Sequence, residues 1–452
     1  MPHDSADRWE RGDLIRRVLQ ALDVAARTVR AATAGELSSQ FRSDRRADGC
    51  PADSPDLVLP KVVAEAAMLL RCVAPTSALD ERIHSGVDQV AQLLLPHARG
   101  ANLLAALCLE PGLALDHALT HIQLRDLGYP DEQADRLLAE CLRAAAVVGP
   151  ERLPHRDLEQ QWLSRIWSGI GSDAAADAQL LARSCLGRPL DALGSATQDL
   201  YAFTHVVLYA SDMGQQTTYL PRPIGEITAD ADAALAAGID ADNLDLTAEL
   251  LWTWPMLGAT WSPAAAFSFG VLAAAQDAHG FLPGPGYSSV RHRNLPTDQQ
   301  EDYLLRTSYH ATLVMGLLCA VALRPGREPP VALAQPDRPG GAADSVYPLL
   351  RNRQAEPQWQ KAFRQLDLGR RETLAPMVLS IALRRARSSN DLGWVRESLQ
   401  IALLHGLVDG PTPRQAVSLL RRGTLLGQQS AGGSAPGRTA DARRTVSSTR
   451  AC

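Results

Sequence analysis

Ser262-Pro263-Ala-Ala-Ala-Phe267-Ser-Phe269-Gly-Val271-Leu272, followed further on by Gly280, decides the fold class of this chain. A serine ahead of a proline is a strong helix start. The hydroxyl can satisfy an orphan N–H, and proline at the first helical position has no N–H to lose. Gly280 suits the left-handed residue that follows a helix. The same three- and four-residue recurrence of apolar side chains runs through 14–32, 62–73, 87–95 and 134–148. β-branched alternation is scarce, and leucine and alanine dominate. The chain is therefore expected to be all-α, with fewer than about a tenth of its residues in strands.

Two internal echoes bear on architecture. His279-Gly-Phe-Leu-Pro-Gly284-Pro285 is matched by His405-Gly-Leu-Val-Asp-Gly410-Pro411, and Thr120-His121…Asp126-x-Gly128 by Thr204-His205…Asp212-x-Gly214. Helix pairs closed by Gly-Pro turns are what a helical-repeat array or an α/α toroid requires. Capping grammar alone gives the same pattern, since histidine in a last turn and glycine after it both suit a helix C-terminus. Both readings stand on the sequence.

Composition bounds the partners. The chain has 452 residues, 46% of them apolar, and a net charge of −5. That charge draws it neither to nucleic acid nor to an anionic membrane. Lys61 and Lys361 are its only lysines. The beginning of the chain has no apolar core of a signal peptide, and the longest apolar run, 311–323, is short for a membrane span and reads as a buried helix. Seven scattered cysteines without Cys-x-x-Cys argue against a zinc site or disulfide framework and for buried thiols in a reducing compartment. A cytoplasmic protein is expected.

Interruptions suggest the organisation. Residues 1–12 read as a flexible N-terminus. An N-terminal helical region covers 13–168 with a polar loop at 35–56, and a C-terminal helical region covers 169–426 with a Pro/Gly-rich linker at 325–344. Residues 427–452 have little to bury and read as a disordered tail.

Thirteen of the 22 aromatic residues fall between Tyr201 and Tyr309. Within that segment His205, Tyr209 and Asp212 fall on one side of a predicted helix, opposite an apolar stripe of Leu200, Phe203 and Val207. They could supply a general base, an oxyanion donor and an orienting carboxylate, or form a solvated face or an internal hydrogen-bond network. Ser308-Tyr309-His310 opens an apolar helix, so His310 lines a cavity or is a satisfied core group. Tyr201, Trp252, Trp254, Trp261, His279, Phe281 and Tyr309, with Phe267, Phe269 and Tyr287 nearby, could line an apolar pocket or serve as core packing.

Metal signals are weak. His117 and His121 lie one turn apart without a third ligand, and Glu81-Arg-Ile-His84 has no partner motif. Asp240-Ala-Asp242-Asn-Leu-Asp245 lacks a calcium-loop glycine and reads as capping of a helix over 246–254. No metal site and no cofactor are expected. Dinucleotide, phosphate-loop, nucleophile-elbow and terpene-synthase aspartate motifs are also missing.

The stretches 201–214, 245–286 and 309–323 resemble an uncharacterised actinobacterial family of all-helical proteins associated with specialised-metabolite gene clusters. The likeness rests on Thr204-His205-x-x-x-Tyr209, His279-Gly-Phe-Leu-Pro-Gly284 and Ser308-Tyr309-His310. It implies a biosynthetic setting and carries no catalytic roles. The expected function is a cofactor-independent cyclase, isomerase or lyase of natural-product metabolism, acting on a small-molecule or peptide substrate through His205, Tyr209, Asp212 and His310. The alternative is a non-catalytic helical scaffold that binds a peptide or carrier protein. A cavity touching both His205 and His310 favours the first, and an open groove lined by arginine favours the second.

Overall fold

One helix of 26 residues, Thr297–Ala322, organises the larger of two hydrophobic cores. The computed structural model describes residues 9–34, 58–144, 151–169, 174–217, 219–331, 333, 340–351 and 356–432. In chain order the helices are α1 (Arg11–Ala34), α2 (Leu59–Val73), α3 (Glu81–Ala98), α4 (Ala101–Leu109), α5 (Ala114–Asp126), α6 (Glu132–Ala144) and α7 (Pro154–Ser168). Then come α8 (Ala174–Arg183), α9 (Thr197–Ala210), α10 (Ile224–Asp240), α11 (Leu244–Leu251), α12 (Thr253–Leu257), α13 (Pro263–His279), α14 (Ser289–Asn294) and α15 (Thr297–Ala322). α16 (Ala342–Val346) begins inside the stretch expected as linker, 325–344, and α17 (Gln358–Gln365), α18 (Leu368–Thr373), α19 (Ala375–Ser388), α20 (Leu392–Leu404) and α21 (Pro411–Gly432) follow it. Among the described residues there is no β-strand, so the fold is all-α.

The start and stop signals act as their chemistry requires. Ser262 Oγ accepts the Ala265 N–H, Pro263 follows, and Gly280 ends α13 at φ +77°. Gly406, its counterpart in the first echo, is also left-handed at φ +68° after α20. Both glycines are helix caps. The helix expected over 246–254 divides at Trp252 into α11 and α12; Pro255, inside α12, has no N–H to give the Leu251 carbonyl and its ring crowds that carbonyl.

The apolar run at 311–323 is only the second half of α15, so His310 lies in mid-helix rather than at a helix start. α1 crosses α15 so closely that a Cβ at Gly316 would lie 2.1 Å from Ala21 Cβ. Among the described residues two stretches, Leu59–Leu79 and Thr297–Ala322, match a membrane span by length and hydropathy, and 56% and 78% of their apolar windows are buried inside the fold. The 311–323 run is too short to span on its own; the preceding turns from Asp298 to Arg306 belong to the same helix and bring it to 26 residues.

The cores do not divide the chain at 168. Side chains from Leu14 to Leu323 share the first core, while 333–416 build the second against one face of α10 and α13. α1 and α2 find their apolar partner in α15, so packing joins the two ends of the stretch 14–323. α21 continues to Gly432, so 427–432 are helical rather than tail; a single Gly427 costs only about 1 kcal/mol in a helix. The loop 35–56, most of the N-terminus and 433–452 lie outside the described residues.

Among the described residues five cysteines are free: Cys72, Cys141 and Cys319 are buried, Cys185 is partly buried and Cys108 is exposed.

Candidate functional site

Six helices contact one another in a closed circuit, α2 to α5 to α7 to α9 to α11 to α15 and back to α2. They surround a cavity of about 740 Å³, within the range that holds a small organic molecule. Helical spacing delivers the lining. Tyr201, His205 and Tyr209 follow one another at four-residue steps on α9, and Arg306, His310 and Leu317 lie along one face of α15. Leu and Val side chains with Trp252 make the walls largely apolar.

The chemistry is concentrated on α11. Every residue from Leu244 to Leu251 is buried, yet Asp245 and Glu249 stand one turn apart on this helix. Carboxylates so placed must find partners. Tyr201 donates to Asp245 Oδ2 at 2.8 Å and Thr204 to Glu249 Oε2 at 2.6 Å. His310 Nε2 stands 3.6 Å from both Asp245 Oδ1 and Glu249 Oε1, and its Nδ1 is 3.2 Å from Glu65 Oε1. His205 Nε2 lies 3.9 Å from the other Glu249 oxygen. The two imidazoles thus flank one carboxylate and lie within about 10 Å of each other, inside the reach of one small substrate. His205 and His310 keep 30% and 36% of their side-chain surface accessible, against 2% for Glu249.

These contacts set the protonation. Burial alone would discharge His310, but the carboxylates of Asp245 and Glu65 outweigh it and raise its pKa well above the ordinary histidine value. Burial pushes the Asp245 carboxyl up; His310 pulls against it and Glu249 adds to it. Burial also works on Glu65, but there His310 and Lys61 prevail and the carboxyl is lowered. Burial, and then Asp245, Glu159 and Glu65 respectively, raise the hydroxyls of Tyr201, Tyr209 and Tyr309. All three remain hydrogen-bond donors. His155, with its ring 6.4 Å from that of His205, is lowered by burial and by Arg156 and His205.

Of the side chains singled out in the sequence, His205, Tyr209, His310, Tyr201, Trp252 and Tyr309 line the cavity. Asp212 does not. It lies past the end of α9 at φ +48°, where the turn swings its side chain away from the His205 face. There it accepts Arg71 through both oxygens and the Trp162 indole at 2.7 Å. Both aspartates of the second echo, Asp126 and Asp212, pair with Arg71. Trp254 and Trp261 also fall outside. They stack on each other, and Trp261 packs edge-on to Phe269 behind the cavity wall. His279 and Phe281 join Tyr287 in an aromatic cluster instead, because Gly280 turns the chain out of α13. The loop after them does reach the cavity at Gly284. A Cβ there would lie 2.0 Å from the Thr307 carbonyl oxygen.

Sequence reasoning misses Glu65, Glu159, Asp245 and Glu249. Asp245 is not a cap: Asn243 accepts the Leu246 N–H, Asp240 pairs with Arg385 and Asp242 accepts the Gln358 N–H. The signal that points to the pair is two acids four residues apart in the otherwise apolar stretch 244–252, which has no polar face to solvate them. Glu159 is held by Tyr209 and Arg156, both at 2.7 Å. The expectation of no metal site also meets a candidate, since ligand atoms of Asp245, Glu249 and His310 lie within 4.8 Å of one another. His117 and His121 are not ligands; each is taken by a carboxylate, Glu110 and Asp135, at 2.8 Å.

Comparisons with curated proteins and with solved structures returned no match. A family model does match residues 27–320, well over half of the chain and all of the cavity-lining positions. The chain therefore belongs to the family described as a domain of unknown function (DUF6895).

Proposed function

We propose that this chain is an enzyme that moves protons on a small molecule held among the six helices, a cyclase, isomerase or lyase that needs no organic cofactor. The observation that carries the reading is that two accessible imidazoles flank a single buried carboxylate, Glu249, in one cavity. His310, kept charged by its carboxylates, acts as the acid, and His205 beside Glu249 acts as the base. Tyr201 and Tyr309 each give their one hydroxyl proton to a carboxylate and so hold Asp245 and Glu65 in place. The apolar wall selects a substrate with a hydrocarbon body and one polar end. The likeness of 201–214, 245–286 and 309–323 to proteins of specialised-metabolite clusters supports a biosynthetic setting.

The test can be run before the substrate is identified. Small-molecule extracts are incubated with the protein in deuterated water, and mass spectrometry follows deuterium uptake and new masses. The wild type is expected to exchange or convert at least one component. His205→Gln and His310→Gln should abolish this while still melting cooperatively. A component that binds tightly but emerges unlabelled and unchanged would sink the enzyme and favour the non-catalytic scaffold.

A further inference from the structure

Two carboxylates in the cavity each have one oxygen held by a neighbour: Tyr201 holds Asp245 Oδ2 and Thr204 holds Glu249 Oε2. The far nitrogen of His310, Nδ1, is buried 3.2 Å from Glu65 Oε1 without the alignment of a hydrogen bond. The second oxygens, Asp245 Oδ1 and Glu249 Oε1, are turned toward His310 Nε2. They face one another, with Nε2 3.6 Å from each oxygen. Asp245 is 4% exposed, and its Oδ1 is buried with no hydrogen-bond partner. A bare carboxylate oxygen of that kind calls for a ligand.

We propose that Asp245 Oδ1, Glu249 Oε1 and His310 Nε2 bind a divalent transition-metal ion, with Glu65 orienting the histidine from behind. Ligand bonds of about 2.1 Å put neighbouring donor atoms roughly 3–3.4 Å apart around one ion and opposite ones about 4.2 Å; one ligand atom from each of the three residues already lies within 4.8 Å of the others. A carboxylate against the far nitrogen is the usual partner of a metal-bound imidazole, because it fixes the tautomer and the ring. Two carboxylates and one imidazole suit Mn²⁺, Fe²⁺ or Zn²⁺ better than Ca²⁺, which takes six or more oxygens. Three protein ligands leave coordination positions open, as catalytic sites do.

The proposal rests on the reading of the cavity as the functional site but changes one role in it: with an ion bound, His310 Nε2 is a ligand without a proton, and a water on the ion would be the acid in its place. Its readout is binding rather than turnover. The full-length protein is stripped with a chelator, desalted and titrated with MnCl₂, with free Mn²⁺ followed by electron paramagnetic resonance. ZnCl₂ is titrated in parallel and the bound zinc counted by elemental analysis. One ion per chain is expected. Glu65→Gln should weaken binding about 10–100-fold, and Asp245→Asn, Glu249→Gln and His310→Gln should weaken it further. His121→Gln, which breaks the other buried histidine–carboxylate pair, should leave it unchanged. Tyr201→Phe keeps the ring but releases Asp245 Oδ2. It should still weaken the ion if a ligand variant fails to fold.

Absence of stoichiometric binding would overturn the site, as would binding that His310→Gln and His121→Gln leave equally intact. Protection against melting by an alkylamine but by neither metal would point to an organic cation instead and would also overturn it. Deuterium exchange that persists without metal binding removes only the metal. A bound ion without any exchange removes only the acid/base reading.

Discussion

Asp232 illustrates how far a single half-buried side chain sets behaviour. Its carboxyl accepts Ser262 Oγ at 2.5 Å, and burial pushes its pKa up to about 7. The folded protein therefore holds this proton more tightly than the unfolded chain, whose value is about 4. The sign follows from linkage: between about pH 4 and pH 7 folding takes up a proton, so the penalty of ionising Asp232 grows across that window and is complete above it. Asp232→Asn keeps the acceptor and removes the charge. Its melting temperature should match the wild type near pH 4, exceed it increasingly up to pH 7, and hold that lead above. A lead that shrank with pH would refute the assignment. Asp212 differs in that its charge is matched by Arg71. Breaking the buried pair with Arg71 by Asp212→Asn should cost about 3–5 kcal/mol, read by denaturant unfolding, with the cavity chemistry of the folded fraction unchanged. The sequence shows both aspartates but not their partners. Arg71 lies 141 positions from Asp212, and nothing in local spacing points that far. Asp245 misleads for a related reason: beside Asn243 it looks like a cap until the helix proves to have no solvent face.

Helices are the most legible level, because each carries its own period and its own ends. α13 announces its cap, its proline and its closing glycine within the sequence itself. Where two signals compete the reading fails, as at Pro255, and as at α15, whose polar first half hides its length. Close helix crossings leave almost no trace. Gly316 reads as a minor weakness in an apolar helix, yet it is the point where α1 and α15 touch, with Ala21 opposite. A side chain there must push the helices apart. Gly316→Val is expected to destabilise the protein by about 1–3 kcal/mol through overpacking, and Ala21→Gly should recover part of that loss. If Gly316→Val unfolds at the wild-type denaturant concentration, the crossing is looser than so close an approach implies.

The molecule as a whole is two cores that share a wall. α10 and α13 give one face to each, while all six cavity helices belong to the first. The stretch 325–344 is legible in the sequence only as a break, since composition does not say which helices lie on the same side of it. The shared wall makes a specific claim about cooperativity. Trp359 is fully buried in the second core, packed edge-on to Phe363, and its indole reaches Asp240 on α10 at 3.3 Å. Trp359→Ala should cost about 3–5 kcal/mol at that core. Because α10 and α13 keep their other faces packed, the first core should survive the change. Hydrogen exchange should then quicken across 342–420 and stay slow in α2, α9, α11 and α15. Binding in the cavity should be unchanged. If protection falls in both regions together, the shared wall transmits the loss, and the two cores fold as one cooperative unit.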